Sequence, residues 1–214
     1  MAIQEKRADL SRRSFIAGSV VTMASSGAPA NAQSGKDNIN TRVLGTQDPT
    51  LIFVHGYTCA LDDWDAQVKA LSPRFRCVAL DLPGHGVSTK PEAVSIATMG
   101  DAVKQVKERV GARASILIGH SMGCRVIIDA FLKSQSGVVG LVFVDGSIIG
   151  GDPETGIQRV KDSISRDGMD ALTQRLFTDM FIEGSDPALR DRLVARAKAV
   201  DSAFREELFV DLVR

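Results

Sequence analysis

Ser121 is the residue whose neighbours in sequence could turn a weak nucleophile into a working one. It sits in Gly119-His120-Ser121-Met122-Gly123, directly after the apolar run Ser115-Ile116-Leu117-Ile118 and directly before a helical pattern from Cys124 to Leu132. A strand that turns straight into a helix leaves almost no room beside the turn, and Gly119 and Gly123 carry no side chain there. The serine is then held at the tip of the turn with its hydroxyl exposed to a cleft. The amides that open the following helix favour negative charge at that point, as attack on a carbonyl group requires.

The elements that must position this serine can be read outward from it. Leu51 to Val54 is a continuous apolar run of strand length, the pattern of a strand buried on both faces, and Arg76 to Leu80 and Val138 to Val144 read as further buried strands. Thr41 to Leu44 is a weaker strand. Between them, Trp64, Val68 and Leu71 fall on one helical face behind a cap at Asp62 or Asp63, and Ile96, Met99, Val103, Val106 and Val110 step by three and four up to Gly111. Strands alternating with helices predict an α/β chain with a mostly parallel sheet covered on both faces, in which ligands bind at the carboxyl ends of the strands. His55, Asp81, Ser121 and Asp145 stand at those ends and line one rim. Asp81-Leu82-Pro83-Gly84-His85-Gly86 must turn sharply at the surface.

Beyond Gly151 the pattern is helical, three or four amphipathic segments without a convincing strand, one of them starting at Asp186-Pro187 with a cap and a proline in its first turn. These predict a helical lid over residues 151–214, after a core at 33–150. Leu176, Phe177, Met180 and Phe181 could pack over the cleft and exclude water, or simply pack on the sheet.

Composition bounds the rest. In 214 residues, 44% hydrophobic, there is material for one sizeable core. Lys and Arg number 26 and so do Asp and Glu, which gives no basic excess for nucleic acid or an anionic membrane. Cys59, Cys77 and Cys124 have no metal-ligand spacing and read as small buried hydrophobes, or as one optional disulfide plus a thiol. Residues 1–32 resemble a twin-arginine (Tat) export signal: Arg12-Arg13 before a short apolar run, then Ala30-Asn31-Ala32 as a cleavage pattern. That resemblance implies the Tat export machinery as a partner, a periplasmic or secreted destination, and no membrane anchor after cleavage.

Four motifs together, His55-Gly56-Tyr57, Asp81 to Gly86, Gly119 to Gly123 and Val144-Asp145-Gly146-Ser147, resemble the α/β-hydrolase family in its capped esterase, lactonase and C-C hydrolase branch. The resemblance covers roughly residues 41 to 214. It implies a serine hydrolase acting on a small ester-like molecule without cofactor or metal. It also implies that Ser121 is the nucleophile, that the backbone amides of Tyr57 and Met122 form the oxyanion hole, and that His55 and Gly56 shape the loop at the substrate pocket. Asp145 could be the acid of the triad, or could fix the loop into the lid.

One component of that pattern is missing. The family supplies a histidine base after the last strand, and the three histidines here, His55, His85 and His120, all fall in motifs with other roles. The sheet also ends early for the family, so a C-terminally incomplete hydrolase is expected. The alternatives are a truncated, catalytically impaired enzyme and a non-catalytic module that binds a small apolar ligand.

Overall fold

The computed structural model describes residues 38–146 and 151–214. The export signal read at residues 1–32 and the end of the Val144 to Ser147 motif lie outside them.

Five strands form one sheet: β1 (Thr41–Leu44), β2 (Thr50–Val54), β3 (Arg76–Leu80), β4 (Ser115–His120) and β5 (Val138–Val144). Their spatial order is β1-β3-β2-β4-β5. Only β1 runs antiparallel, against β3; β2 pairs in parallel with both β3 and β4, and β4 with β5. The three central strands are the continuous apolar runs, because a strand with a neighbour on each side and helices on each face meets no water. Every residue of β2 is buried.

Alternate residues of the strands enter two cores. Leu51, Phe53, Cys77, Ala79 and Ile118 face one way, onto Leu61, Trp64 and Val68. Leu61–Trp64 is a turn of 3-10 helix, so the first regular helix, α1 (Asp65–Leu71), starts later than a cap at Asp62 or Asp63 implied. Ile52, Val54, Val78 and Leu80 face the other way, onto α2 (Ile96–Arg109) and α3 (Met122–Lys133). Ser95 caps α2 by accepting from the Thr98 amide at 3.0 Å.

Residues 151–214 form α4 (Pro153–Asp167), α5 (Met169–Asp179), α6 (Pro187–Ala199) and α7 (Ser202–Leu212). Asp152, Asp186 and Asp201 cap α4, α6 and α7, and Pro153 and Pro187 occupy the first turns of α4 and α6, where no amide partner is lost. Among the described residues no helix is long and apolar enough to cross a membrane.

One expectation is corrected, and one pair of alternatives is decided. The apolar run of β5 is not buried on both faces: Val139 is 63% exposed, and Val142, Phe143 and Val144 are exposed too. Among the described residues β5 pairs only with β4, and four of its seven residues are exposed. Phe177 is buried in the α2–α3 core and Leu176 packs against it, while Met180 is 58% exposed. These side chains do not line the space above Ser121.

Candidate functional site

Ser121 caps α3 with φ 51° and ψ −117°, a conformation that costs any residue with a Cβ on the order of 1–3 kcal/mol. The surroundings over-determine it. A Cβ on Gly119 would come within 2.3 Å of the Gly123 carbonyl oxygen, and one on Gly123 within 2.5 Å of the Val54 carbonyl oxygen, so α3 starts in contact with the ends of β2 and β4. The Ser121 amide donates to the Val144 carbonyl at 3.0 Å, which ties the turn to the end of β5.

The loop after β2 approaches the same point. A Cβ on Gly56 would lie 3.2 Å from Ser121 Cβ and 3.0 Å from His120 Nδ1. Among the hydrogen bonds of the described residues, none uses the amide of Tyr57 or of Met122. Asp81 holds this loop in shape. Its carboxylate accepts from the Leu61 amide at 2.8 Å, the Asn40 side chain at 2.8 Å and the Val87 amide at 3.2 Å. A Cβ on Gly86 would strike that carboxylate at 2.2 Å, which is why the Asp81 to Gly86 turn is built with glycine.

The histidines sit elsewhere. His55 is 1% exposed and turned into the core, its Nδ1 2.8 Å from the Gly56 carbonyl and its Nε2 accepting from the Leu82 amide at 3.0 Å. Burial, opposed in part by the Gly56 bond, pushes its pKa down to about 4, so the ring stays uncharged. His85, its ring 5.0 Å from that of His55, is pushed down to about 3 by burial and by that neighbour. His120 packs beside Gly56 and meets Trp64 edge-on at 6.4 Å. No imidazole nitrogen hydrogen-bonds the Ser121 hydroxyl among the described residues.

All three cysteines are free thiols. Burial, then the nearby Asp63 carboxylate, pushes the Cys59 thiol up to about 12, which leaves Ser121 as the nucleophile candidate of this region. Among the described residues no cluster of three or more His, Cys, Asp or Glu could hold a metal ion.

Ser121 opens onto a cleft of about 530 Å³ whose walls include Met122, Arg125, Thr155, Arg159 and Leu212. Tyr57, His55 and Gly56 are not among its walls, Tyr57 being buried with its hydroxyl donating to the Arg205 carbonyl at 2.9 Å. His55 is therefore a support of the loop and not a wall of the pocket, because both its ring nitrogens are engaged by backbone. Asp145, at φ 46°, is exposed at the end of β5 and is also absent from the cleft walls. Arg125 and Arg159 were not singled out from sequence. Arg125 had a signal, since it follows Ser121 by one helical turn, whereas Arg159 depends on how α4 docks.

The profile of the alpha/beta hydrolase fold family matches residues 49–199, most of the chain. The chain belongs to the α/β-hydrolase fold family. This α/β-hydrolase is 32% identical over 112 residues to the 2-(acetamidomethylene)succinate hydrolase of Mesorhizobium japonicum, covering 52% of this chain and 40% of that protein. It is 27% identical over 197 residues to the dihydrolipoyllysine-residue acetyltransferase component of the acetoin cleaving system of Pseudomonas putida, covering 90% and 53%. The chain thus spans about half or less of these two relatives. Its fold matches a thermophilic esterase from Thermogutta terrifontis with a TM-score of 0.72 at 21% identity, covering 86% of this chain and 70% of the esterase.

Proposed function

We propose that this α/β-hydrolase is a serine hydrolase of small esters, with Ser121 as nucleophile and the Tyr57 and Met122 amides as oxyanion donors. The observation that carries the reading is the strained turn at Ser121, φ 51°, wedged between Gly119 and Gly123 at the start of a helix. Strain of this kind persists where the surrounding structure enforces it, and it clusters at sites that use it. The two uncommitted amides add to it: an oxygen that gains charge as Ser121 Oγ bonds to the carbonyl carbon needs such donors, worth roughly 3 to 4 kcal/mol each. The hydrolase and esterase named among the similar proteins agree with this class of reaction.

In the first step the Ser121 oxygen bonds to the acyl carbon, its proton leaves to a base, and the alcohol portion departs with the electron pair of the broken ester bond. Water then displaces Ser121 and releases the acid. Asp145 is the carboxylate proposed to orient the base, from the end of β5. None of His55, His85 and His120 hydrogen-bonds the Ser121 hydroxyl among the described residues, so the role of base is assigned to none of them.

The cleft of about 530 Å³ also suits a second reading, a binding module that holds a small ligand there without turnover. A fluorophosphonate probe and a p-nitrophenyl ester separate the two. The p-nitrophenolate leaving group needs no proton from the protein, so acylation is read even where turnover is slow. Labelling of wild type and a burst of p-nitrophenolate, both lost in Ser121→Ala, support the hydrolase. A folded wild type that neither labels nor bursts leaves the binding module. Residues 1–32 are proposed as a Tat signal that sends the folded protein to the periplasm or beyond; a Lys-Lys replacement of Arg12-Arg13 should retain it in the cytoplasm.

A further inference from the structure

We infer that the cleft at Ser121 selects an ester that carries a carboxylate, and that Arg125 and Arg159 hold that carboxylate. The inference rests on the serine-hydrolase reading for its reaction and on the charge of the cleft walls for its substrate class.

Arg125 stands on α3 one turn after Ser121, and Arg159 stands on α4 across the same cleft. Neither is paired with an acidic side chain among the described residues. Arg42, Arg166, Arg175, Arg190, Arg196, Arg205 and Arg214 each lie within ion-pair distance of an aspartate, and Arg74, Arg76, Arg109, Arg113 and Arg192, which do not, stand outside this cleft. Arg125 donates one guanidinium N–H to the Leu212 carbonyl, a neutral acceptor that fixes the side chain without cancelling its charge. Arg159 has no hydrogen-bond acceptor among the described residues.

The one carboxylate on the cleft wall is already used. Asp152 accepts from the Thr155 amide at 2.9 Å and from the Thr155 hydroxyl, as the cap of α4. Two guanidinium groups therefore face the space beside the nucleophile against one engaged aspartate, and the first turns of both α3 and α4 open on the same space. A guanidinium presents parallel N–H donors that match a carboxylate and make charge-assisted hydrogen bonds stronger than neutral ones. A neutral ester would leave both charges without a counter-charge. A short hemiester of a dicarboxylic acid fits a cleft of about 530 Å³ with its ester carbonyl at Ser121 and its free carboxylate on the arginines.

The test uses binding, so that it does not depend on turnover. Ser121→Ala protein is titrated calorimetrically with monomethyl glutarate and with dimethyl glutarate, which differ in one charge and one methyl group. The monoester should bind about tenfold or more tightly, and Arg159→Gln and Arg125→Gln should each remove about tenfold of that affinity. Arg190→Gln, outside the cleft, should leave it unchanged. Arg159 has no partner to lose on substitution, and glutamine at position 125 can still donate to Leu212, so urea midpoints should stay near that of the parent.

Equal binding of the two esters, no binding of the monoester, or indifference to both cleft arginines would overturn the inference. The reaction itself is read separately, by fluorophosphonate labelling of wild-type Ser121. Labelling with no charge preference removes only the inference about substrate class. Charge preference with no labelling keeps the carboxylate selection and removes acyl transfer.

Discussion

The Tyr57 hydroxyl donates to the Arg205 carbonyl at 2.9 Å, joining the loop after β2 to α7 across 148 positions of sequence. The same two elements meet again where the Tyr57 ring lies 5.1 Å from that of Phe209. Phe204 of α7 covers the next loop, its ring 5.4 Å from His85 and so close to Gly84 that a Cβ there would sit 2.4 Å from it. Arg205 is itself 2% exposed and bonds the Val200 carbonyl, Thr173 and Asp170, which ties α7 to α5. The backbone that carries the Tyr57 amide is therefore positioned from the helical side as well as from the sheet.

Tyr57→Phe keeps the ring contacts and removes only the hydroxyl bond. The expected loss is about 1 kcal/mol, the net value of one buried hydrogen bond, and a fall in melting temperature of roughly 2–4 °C for a chain of this size. The rate of fluorophosphonate labelling at Ser121 should fall as well, because the loop is released on one side. Unchanged labelling together with the stability loss would separate the anchor from the proposed oxyanion donor.

Gly123 and Gly156 both lie in the first turns of helices, and intrinsic helix propensity favours alanine over glycine by about 1 kcal/mol at either. The contacts decide otherwise at one of them. At Gly123 a Cβ would press on the Val54 and His55 carbonyl oxygens at 2.5 and 2.8 Å, and backbone cannot step aside; at Gly156 the nearest atom is 3.5 Å away. Gly123→Ala should therefore cost about 1–3 kcal/mol, as overpacking does, and Gly156→Ala should raise stability by up to about 1 kcal/mol. Urea denaturation of the two variants checks both signs.

The elements that a local pattern determines were legible in the sequence, and those set by the sheet as a whole were not. β2 and β4 read as buried strands and are central; Asp186-Pro187 read as a helix start and caps α6. The Val138 to Val144 run carries the same signal as β2, yet among the described residues it pairs on one side only, because an apolar run gives strand propensity and says nothing of how many neighbours will pair with it. The stripe at Leu176, Phe177, Met180 and Phe181 left two places open, over the cleft or on the sheet, because helical spacing shows that a face is apolar and not what covers it; Phe177 and Leu176 pack in the core. At the candidate site, Gly119, Ser121 and Gly123 follow from turn sterics alone. Arg159 enters the cleft only through the docking of α4, some forty positions along the chain, and no spacing rule links the two.

His55 and His85 make stability depend on pH. Unfolded, each ring takes up a proton near pH 6.5; folded, burial delays that uptake to about 4 for His55 and about 3 for His85. Between those values the unfolded chain binds more protons, so stability is full above about pH 6.5 and falls as the pH drops toward 4. For His55 alone the loss is about 3 kcal/mol, from 1.36 kcal/mol for each pH unit of that interval. Urea midpoints measured from pH 7 to pH 4 should fall steeply, and His85→Phe, which removes one of the two rings, should flatten the slope. A midpoint independent of pH across this range would mean that the rings are not held uncharged.

Ser121→Gly sets the strain at the turn against its proposed use. The conformation at φ 51° and ψ −117° is one that glycine adopts freely and serine does not, and no side-chain hydrogen bond of Ser121 to a described residue is lost with the hydroxyl. The variant should therefore gain about 1 kcal/mol, offset in part by the greater backbone freedom of glycine in the unfolded chain. It should lose fluorophosphonate labelling completely. Ser121→Ala, which keeps a Cβ in the same strained geometry, should lose labelling without the gain. A glycine variant less stable than the alanine variant would mean that the turn is not strained at Ser121, and the strongest support for a catalytic serine would go with it.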